Sequence, residues 1–214
     1  AKKGVRIYEH TEMNGHHYDK EKDAMIVSTK NGYSIQARHV IFAAGYEGIE
    51  IKQEKKASFV STFTVTTNQV DDLSDWYNRT LIWETARPYI YMRTTNDNRI
   101  IIGGLDDNTN YPEDRDSKLV NKRNLLIEEL NKRFPTINAQ AEYYLTAFYG
   151  GIVDGIPIIG QYGDFPSCYF LFAFGDNGTV YSQLLSKIIA TDIIEGNSPD
   201  IDLYLQDRPL LKNN

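Results

Sequence analysis

The segment best suited to chemistry is Phe174-Gly175-Asp176-Asn177-Gly178-Thr179, between the apolar run Tyr169 to Phe174 and a stretch of helical periodicity. A helix N-terminus presents unpaired backbone N–H groups and a positive dipole potential. Glycines let a ligand come close to that backbone. Such a loop can stabilise negative charge that develops on a bound group. Taken alone, it reads more simply as an ordinary strand-to-helix turn. A second segment is Val40-Ile41-Phe42-Ala43-Ala44-Gly45, followed by Tyr46-Glu47-Gly48. Small residues ending a buried parallel strand open space at the carboxyl edge of a sheet. By itself this is a plain strand-to-turn junction. A third, Asp154-Gly155-Ile156-Pro157-Ile158-Ile159-Gly160, is by itself a turn into a strand.

Other reactive side chains form no catalytic constellation. His16 and His17 are adjacent, in a region that reads as a loop after the Asn14-Gly15 turn signal. Neighbours on an extended chain point to opposite faces, so they make a poor metal pair. Cys168, beside Pro166-Ser167, reads as a packed thiol. The pairs Asp106-Asp107 and Glu113-Asp114 read as solvated loop charges. Tyr89, Tyr91, Tyr143, Tyr144 and Tyr149 fall on or near strands of the middle region, where their rings could line a pocket or pack on a half-buried sheet. Nucleophile-elbow, P-loop and metalloprotease motifs are absent.

The elements that must position these groups follow from periodicity. Val5 to Tyr8, Met25 to Thr29 and Tyr33 to Gln36 alternate as half-buried strands, and Asn31-Gly32 is a hairpin turn. Val40 to Gly45 suits a strand buried on both faces. Ser58 to Thr67, Pro88 to Arg93, Arg99 to Gly104 and Glu142 to Phe148 read as strands. Asp106 to Asp116 reads as a loop, and Ser117 as the cap of a helix running to Phe134, with Leu119, Leu126, Leu130 and Phe134 on one face. Pro135 stops it. Val180, Tyr181, Leu184, Leu185, Ile188 and Ile189 mark a last helix, ended by Gly196. The order is sheet, mixed α+β insert, then strand–loop–helix.

With 214 residues the chain can bury a sizeable core. A net charge of −6 argues against a general nucleic-acid partner. A single cysteine cannot form an intrachain disulfide, which fits a reducing, cytoplasmic location. No apolar run reaches the roughly 18 residues of a membrane span. Without an initiator Met or an apolar leader, the chain is expected to begin inside a longer protein.

Taken together, four pieces resemble the D-amino-acid oxidase/glycine oxidase-like family of FAD-dependent oxidoreductases. Ile35 to Gly45 looks like the family's strand ending in Ala-Thr/Ala-Gly. Pro88 to Arg93 through Ile102-Gly103-Gly104 looks like its substrate-domain hairpin. Asp154 to Gly160 looks like its D-G-x-P-x-I-G segment, and Phe174 to Ser182 looks like its flavin-edge loop. The joint order and spacing span nearly the whole chain.

The resemblance implies an α+β and α/β composite: an antiparallel substrate-binding sheet with a helix, inserted in a partial FAD-binding α/β domain. Residues 1–48 and 151–214 would belong to the FAD-binding domain, and 49–150 to the substrate-binding domain. Ala43, Ala44, Gly45, Gly175, Asn177, Gly178 and Thr179 would face the flavin. Tyr89, Tyr91, Arg93 and Tyr149 would face an amine or amino-acid substrate, oxidised by hydride transfer to flavin. Asp176, where the family has Gly, is expected to turn away from the flavin. The stretch Phe148 to Val153 just before Asp154 holds no arginine to clamp a substrate carboxylate, which puts an α-amino acid in doubt. No cysteine precedes Asp154 for covalent attachment, so FAD is expected to be noncovalent. The family's G-x-G-x-x-G unit is missing, so FAD binding by this chain alone is expected to be weak or absent, and the chain alone inactive. Two other readings are a catalytically inactive truncated substrate-domain module and a same-fold flavin dehydrogenase with a non-amino-acid substrate. Exposed sheet edges make self-association an expectation.

Overall fold

The computed structural model describes residues 3–109, 111–172, 175 and 177–212. Along the chain come β1 (Met13–Asp19), β2 (Ala24–Thr29), β3 (Ser34–Ala37), β4 (Val40–Phe42) and the short α1 (Gly48–Ile51). Next are β5 (Ala57–Thr67), β6 (Ile82–Trp83), β7 (Ile90–Thr94), β8 (Ile100–Asp107), α2 (Pro112–Arg133) and β9 (Ala141–Ile152). Last are β10 (Ile158–Gly160), β11 (Cys168–Phe172), α3 (Gly178–Glu195) and α4 (Pro209–Lys212). The chain divides into two compact units, one of residues 1–57 with 151–214 and one of residues 58–150.

The first unit is built on the sheet β10-β11-β4, in which β11 runs parallel to β4 and antiparallel to β10. Alternation along β11 dictates what lies on each face. Phe170 and Phe172 join Phe42, Ile158 and Met25 in one core. Tyr169 and Ile159 point the other way, onto Leu185, Ile188 and Ile189 of α3. Met25 belongs to the antiparallel meander β1-β2-β3, which covers the first face. Helix α3 ends at Gly196, whose left-handed backbone donates its N–H to the Asp192 carbonyl.

The second unit is the five-stranded sheet β6-β7-β8-β5-β9, covered on one face by α2. The pairings β6–β7, β7–β8 and β8–β5 are antiparallel. Phe63 and Val65 of β5, Ile90 and Met92 of β7, and Ile100 and Ile102 of β8 meet Leu126 and Leu130 of the helix. Trp76 stacks on Phe134 with ring centroids 4.4 Å apart.

Several local expectations need correction. Val5 to Tyr8 forms no strand and is exposed throughout. Asn14-Gly15, a turn signal on its face, lies inside β1, where Gly15 pairs with Ser28. His16 and His17 are therefore on a strand, both exposed, with the His16 ring stacked on Phe165 at 4.8 Å. Strand β4 is not buried on both faces: it is the edge of its sheet and Ile41 is 47% exposed. Helix α2 begins at Pro112 rather than after Ser117, because proline at the helix start loses no needed N–H and Glu113 and Asp114 favour the positive end of the dipole. Ser117 Oγ instead bonds the Asp114 carbonyl inside the helix.

Candidate functional site

Two places gather the side chains and backbone groups singled out in the sequence, one in each unit. In the first unit, parallel pairing sets Val40 opposite Cys168 and Phe42 opposite Phe170. Both strands thus end at the same carboxyl edge. Beyond β4, Ala43, Ala44 and Gly45 are exposed there. Beyond β11, Gly175 leads to Asn177, the residue preceding α3. The Asn177 carbonyl accepts the N–H groups of Val180 and Tyr181, both at 3.1 Å. The N–H groups of Gly178 and Thr179 precede these first helical donors, as helix geometry requires. An added Cβ at Gly45 or Gly175 would meet nothing of the protein within 4 Å, so open space borders the backbone at both. Phe174 and Asp176, on which expectations also fell, lie outside the described residues.

The Asp154-Gly155 turn comes to the same region, since Tyr181 Oη in the first turn of α3 reaches the Gly155 carbonyl at 3.5 Å. Asp154 accepts the Ile156 N–H and takes both prongs of the Arg208 guanidinium. Those Arg208 bonds hold the Asp154 carboxyl below the usual carboxylate range, against the opposing effect of burial. Arg208 also donates to the carbonyls of Ile156 and Pro157. Nothing in its sequence neighbourhood marks it, because the contact spans 54 residues.

The second place is the face of the five-stranded sheet away from α2. Ile90 and Met92 point to the helix, so Tyr89 and Tyr91 share the opposite face. Their rings are 6.2 Å apart, and Trp83 lies 6.3 Å from Tyr89. Tyr91 Oη is 3.2 Å from Thr64 Oγ1. Glycines make this packing possible. A Cβ on Gly103 would sit 2.3 Å from the Tyr91 hydroxyl, and one on Gly104 would sit 2.2 Å from the Tyr89 carbonyl oxygen. Gly104 has φ +123° and Leu105 φ +54°, and the β5–β8 register shifts between Ser61 and Phe63. That irregularity returns Leu105 to the helix-side core and sends Asp106 to the tyrosine face.

Asp106 and Asp107 are therefore not solvated loop charges. Asp107 pairs with Lys118 at 3.0 Å and Lys122 at 2.9 Å. Asp106 accepts the Tyr149 hydroxyl through Oδ2 at 2.7 Å, while its Oδ1 is buried with no hydrogen-bond partner among the described residues. Tyr149 Oη lies 3.5 Å from Tyr89 Oη. Burial first, then Tyr89 and Asp106, push the Tyr149 phenol well above its usual range, so it stays protonated. The Arg87 guanidinium carbon lies 4.6 Å from the Tyr89 ring centroid. Tyr89, Tyr91 and Tyr149 thus come together, with Thr64, Trp83, Arg87 and Asp106 that sequence reasoning missed. Arg93, next after Tyr91 on the same face of β7, is exposed, its guanidinium 3.5 Å from the Thr94 carbonyl.

Cys168 is buried, and burial pushes its thiol up to about 11, so it is no nucleophile at neutral pH. Among the described residues no cluster of three His, Cys, Asp or Glu could hold a metal, and no helix is long and apolar enough to cross a membrane.

A parallel strand pair ending in small residues beside a helix N-terminus, with an antiparallel sheet inserted in the chain, defines a nucleotide-cofactor class of α/β protein. Residues 1–191 match the family model described as FAD dependent oxidoreductase, and the chain belongs to that family. None of the curated proteins matches it. Among solved structures, it is similar to L-proline dehydrogenase from P. horikoshii at 18% identity and a TM-score of 0.71, covering 97% of this chain and 56% of that one. It is similar to L-amino acid deaminase from Proteus vulgaris, in a form with its specific insertion sequence deleted, at 17% identity and a TM-score of 0.71, with 97% and 51% covered. Glycine oxidase from Geobacillus kaustophilus follows at 18% and a TM-score of 0.63, with 91% and 50% covered. These likenesses show the fold, and the chain spans about half the length of each structure.

The residues present fit one side of an FAD molecule. The open backbone at Gly45 and Gly175 gives a flat ring room to approach, and the start of α3 offers N–H donors. The chain contains no G-x-G-x-x-G for the pyrophosphate.

Proposed function

We propose that this chain forms the substrate-binding sheet and part of the flavin-binding layer of an FAD-dependent oxidoreductase that oxidises an amine or amino-acid-like substrate. The observation that carries this reading is the shared carboxyl edge of β4 and β11, where Ala43-Ala44-Gly45 and the start of α3 meet. The structural relatives, a proline dehydrogenase, an amino acid deaminase and a glycine oxidase, support the substrate class.

Bound FAD supplies an acceptor for a hydride from the substrate C–H beside nitrogen. Ala43, Ala44 and Gly45 leave room for the ring. Backbone groups of Gly175, Asn177, Gly178 and Thr179 stabilise negative charge at the ring edge. Tyr89, Tyr91 and Tyr149 bind and orient the substrate, with Arg93 at the margin. Residues 1–48 and 151–214 serve the cofactor and 49–150 the substrate. Attachment is noncovalent, since no cysteine stands before the Asp154 segment to carry the flavin. By itself the chain retains FAD weakly or not at all and is inactive, and its working form is cytoplasmic and longer.

A visible spectrum after incubation with excess FAD and desalting tests this. The chain is expected to lose the flavin, whereas a form extended upstream by a G-x-G-x-x-G unit retains it and bleaches with an amine substrate. An extended form that folds but never holds flavin would sink the proposal.

A further inference from the structure

The tyrosine face carries an arrangement that substrate contact alone does not explain. Asp106 is acceptor-only when ionised. Its Oδ2 accepts the Tyr149 O–H at 2.7 Å, so the Tyr149 oxygen keeps its lone pairs for donors other than its own hydrogen. The Tyr89 hydroxyl lies at 3.5 Å, the outer limit of a hydrogen bond. The second carboxylate oxygen, Oδ1, is buried with no hydrogen-bond partner among the described residues. Leaving such an atom unpaired costs roughly 1–3 kcal/mol or more. A fold tolerates that cost where the charge has a use.

One cation already stands on this face: Arg87 lies over the Tyr89 ring at 4.6 Å, within cation–π range. An ammonium group is therefore placed at the Tyr149 oxygen, because its N–H bonds need acceptors and its charge is favoured beside the Asp106 carboxylate. An alcohol of the same shape brings no charge. A buried Oδ1 cannot touch a ligand, so Asp106 acts through Tyr149.

We propose that Asp106 is a positioning residue for amine recognition: it accepts the Tyr149 O–H hydrogen bond and so turns the Tyr149 oxygen as acceptor toward a substrate ammonium. This rests on the reading of the tyrosine face as a substrate site, and it names the group by which that face selects amines. Asp106 is the source of the negative field, Tyr149 the contact, and the rings of Tyr89 and Tyr91 the walls.

The test uses this chain without flavin, with benzylammonium as probe and benzyl alcohol as its uncharged counterpart. NMR titration is expected to shift resonances of Tyr89, Tyr149 and Gly103, with the ammonium bound about tenfold more tightly than the alcohol, the scale of one charge-assisted hydrogen bond. Asp106→Asn and Tyr149→Phe are each expected to erase that preference while the amide spectrum keeps the pattern of the folded chain. Equal binding of the two probes by the unaltered chain overturns the inference, and that comparison needs no variant to fold. So does an ammonium preference that survives in both variants. In an upstream-extended, flavin-loaded form, both variants are expected to raise KM for the amine about tenfold with kcat little changed. Amine oxidation with KM untouched refutes the role of Asp106 and leaves the proposed function standing. Ammonium selectivity without flavin retention by the extended form does the reverse.

Discussion

Arg208 grips Asp154 with two parallel hydrogen bonds, Nε to Oδ2 at 2.9 Å and Nη2 to Oδ1 at 2.8 Å, and its side chain is only 3% exposed. The pair ties the tail after α3 to the turn that opens β10. The parallel bridge from Ile159 to Leu205 and the bond from the Ile159 N–H to the Tyr204 carbonyl continue the same seam. Asp154 belongs to a segment singled out for resemblance, and its visible work in the fold is this clamp. Removing one partner leaves a buried charge uncompensated. Asp154→Asn or Arg208→Met is expected to cost about 3–5 kcal/mol, with the double variant costing much less than the sum. Urea denaturation of the four forms checks this, and additive losses would deny the clamp.

Acid should loosen the same seam. Arg208 bonding holds the Asp154 carboxyl low. Burial alone would raise the Asp107 carboxyl, but Lys122 and Lys118 outweigh it and hold that group low as well. Both groups take up a proton less readily folded than unfolded. Their contribution is therefore complete above the unfolded carboxylate range, about pH 4, and is lost as pH falls through the lower folded values. Denaturation midpoints measured from pH 7 down to pH 2.5 should drop on the acid side, and Asp154→Asn should flatten the drop.

The Gly103-Gly104 pair shapes the tyrosine face by absence of side chains. Gly104→Ala sets a methyl against the Tyr89 carbonyl in a backbone conformation hostile to L side chains, and should cost about 2 kcal/mol or more. Gly103→Ala instead meets the movable Tyr91 phenol. It should leave the fold intact and displace the ring. Thermal melts separate the two, and Tyr91 ring resonances should move in Gly103→Ala.

Cys168 offers a simple probe of the first core. With its thiol pushed up to about 11 and its side chain 3% exposed, alkylation by iodoacetamide at pH 8 should be slow in the folded chain and fast in denaturant. Rapid native labelling would mean that the β11 core opens readily.

Strand β4 pairs with β11 on one side and, among the described residues, with no strand on the other. Ile41 on that edge is 47% exposed, and Val153 and Val180 are 72% and 66% exposed. Open edges and apolar surface favour association. Sedimentation velocity should show concentration-dependent species, reduced by Ile41→Lys. A strict monomer at high concentration would contradict this.

Periodic segments were legible in sequence because local rules govern them. Leu126 and Leu130 read correctly as the buried stripe of α2 since helical spacing alone puts them together. Gly196 ended α3 as a glycine at that position should. The order of sheet, insert and returning strand–helix also followed from patterning, whereas the family came from the resemblance of four short segments. Local signals failed where a distant partner outweighed them. Asn14-Gly15 is absorbed into β1 as an irregularity, the register with β2 shifting between Met13 and Gly15 while the strand runs on. Pro112 and its acidic neighbours started α2 ahead of Ser117. Asp106 and Asp107 looked alike as a charged pair. Neighbours on a strand face opposite ways, and the irregular backbone after Gly104 decides which face each takes: Asp107 goes to two lysines and Asp106 under Tyr149. Composition cannot encode that difference, because the facing of a strand residue depends on a register that only the paired sheet sets. The Asp154–Arg208 clamp was hidden for the same reason: charge complementarity across 54 residues acquires a location only when the chain folds back on itself.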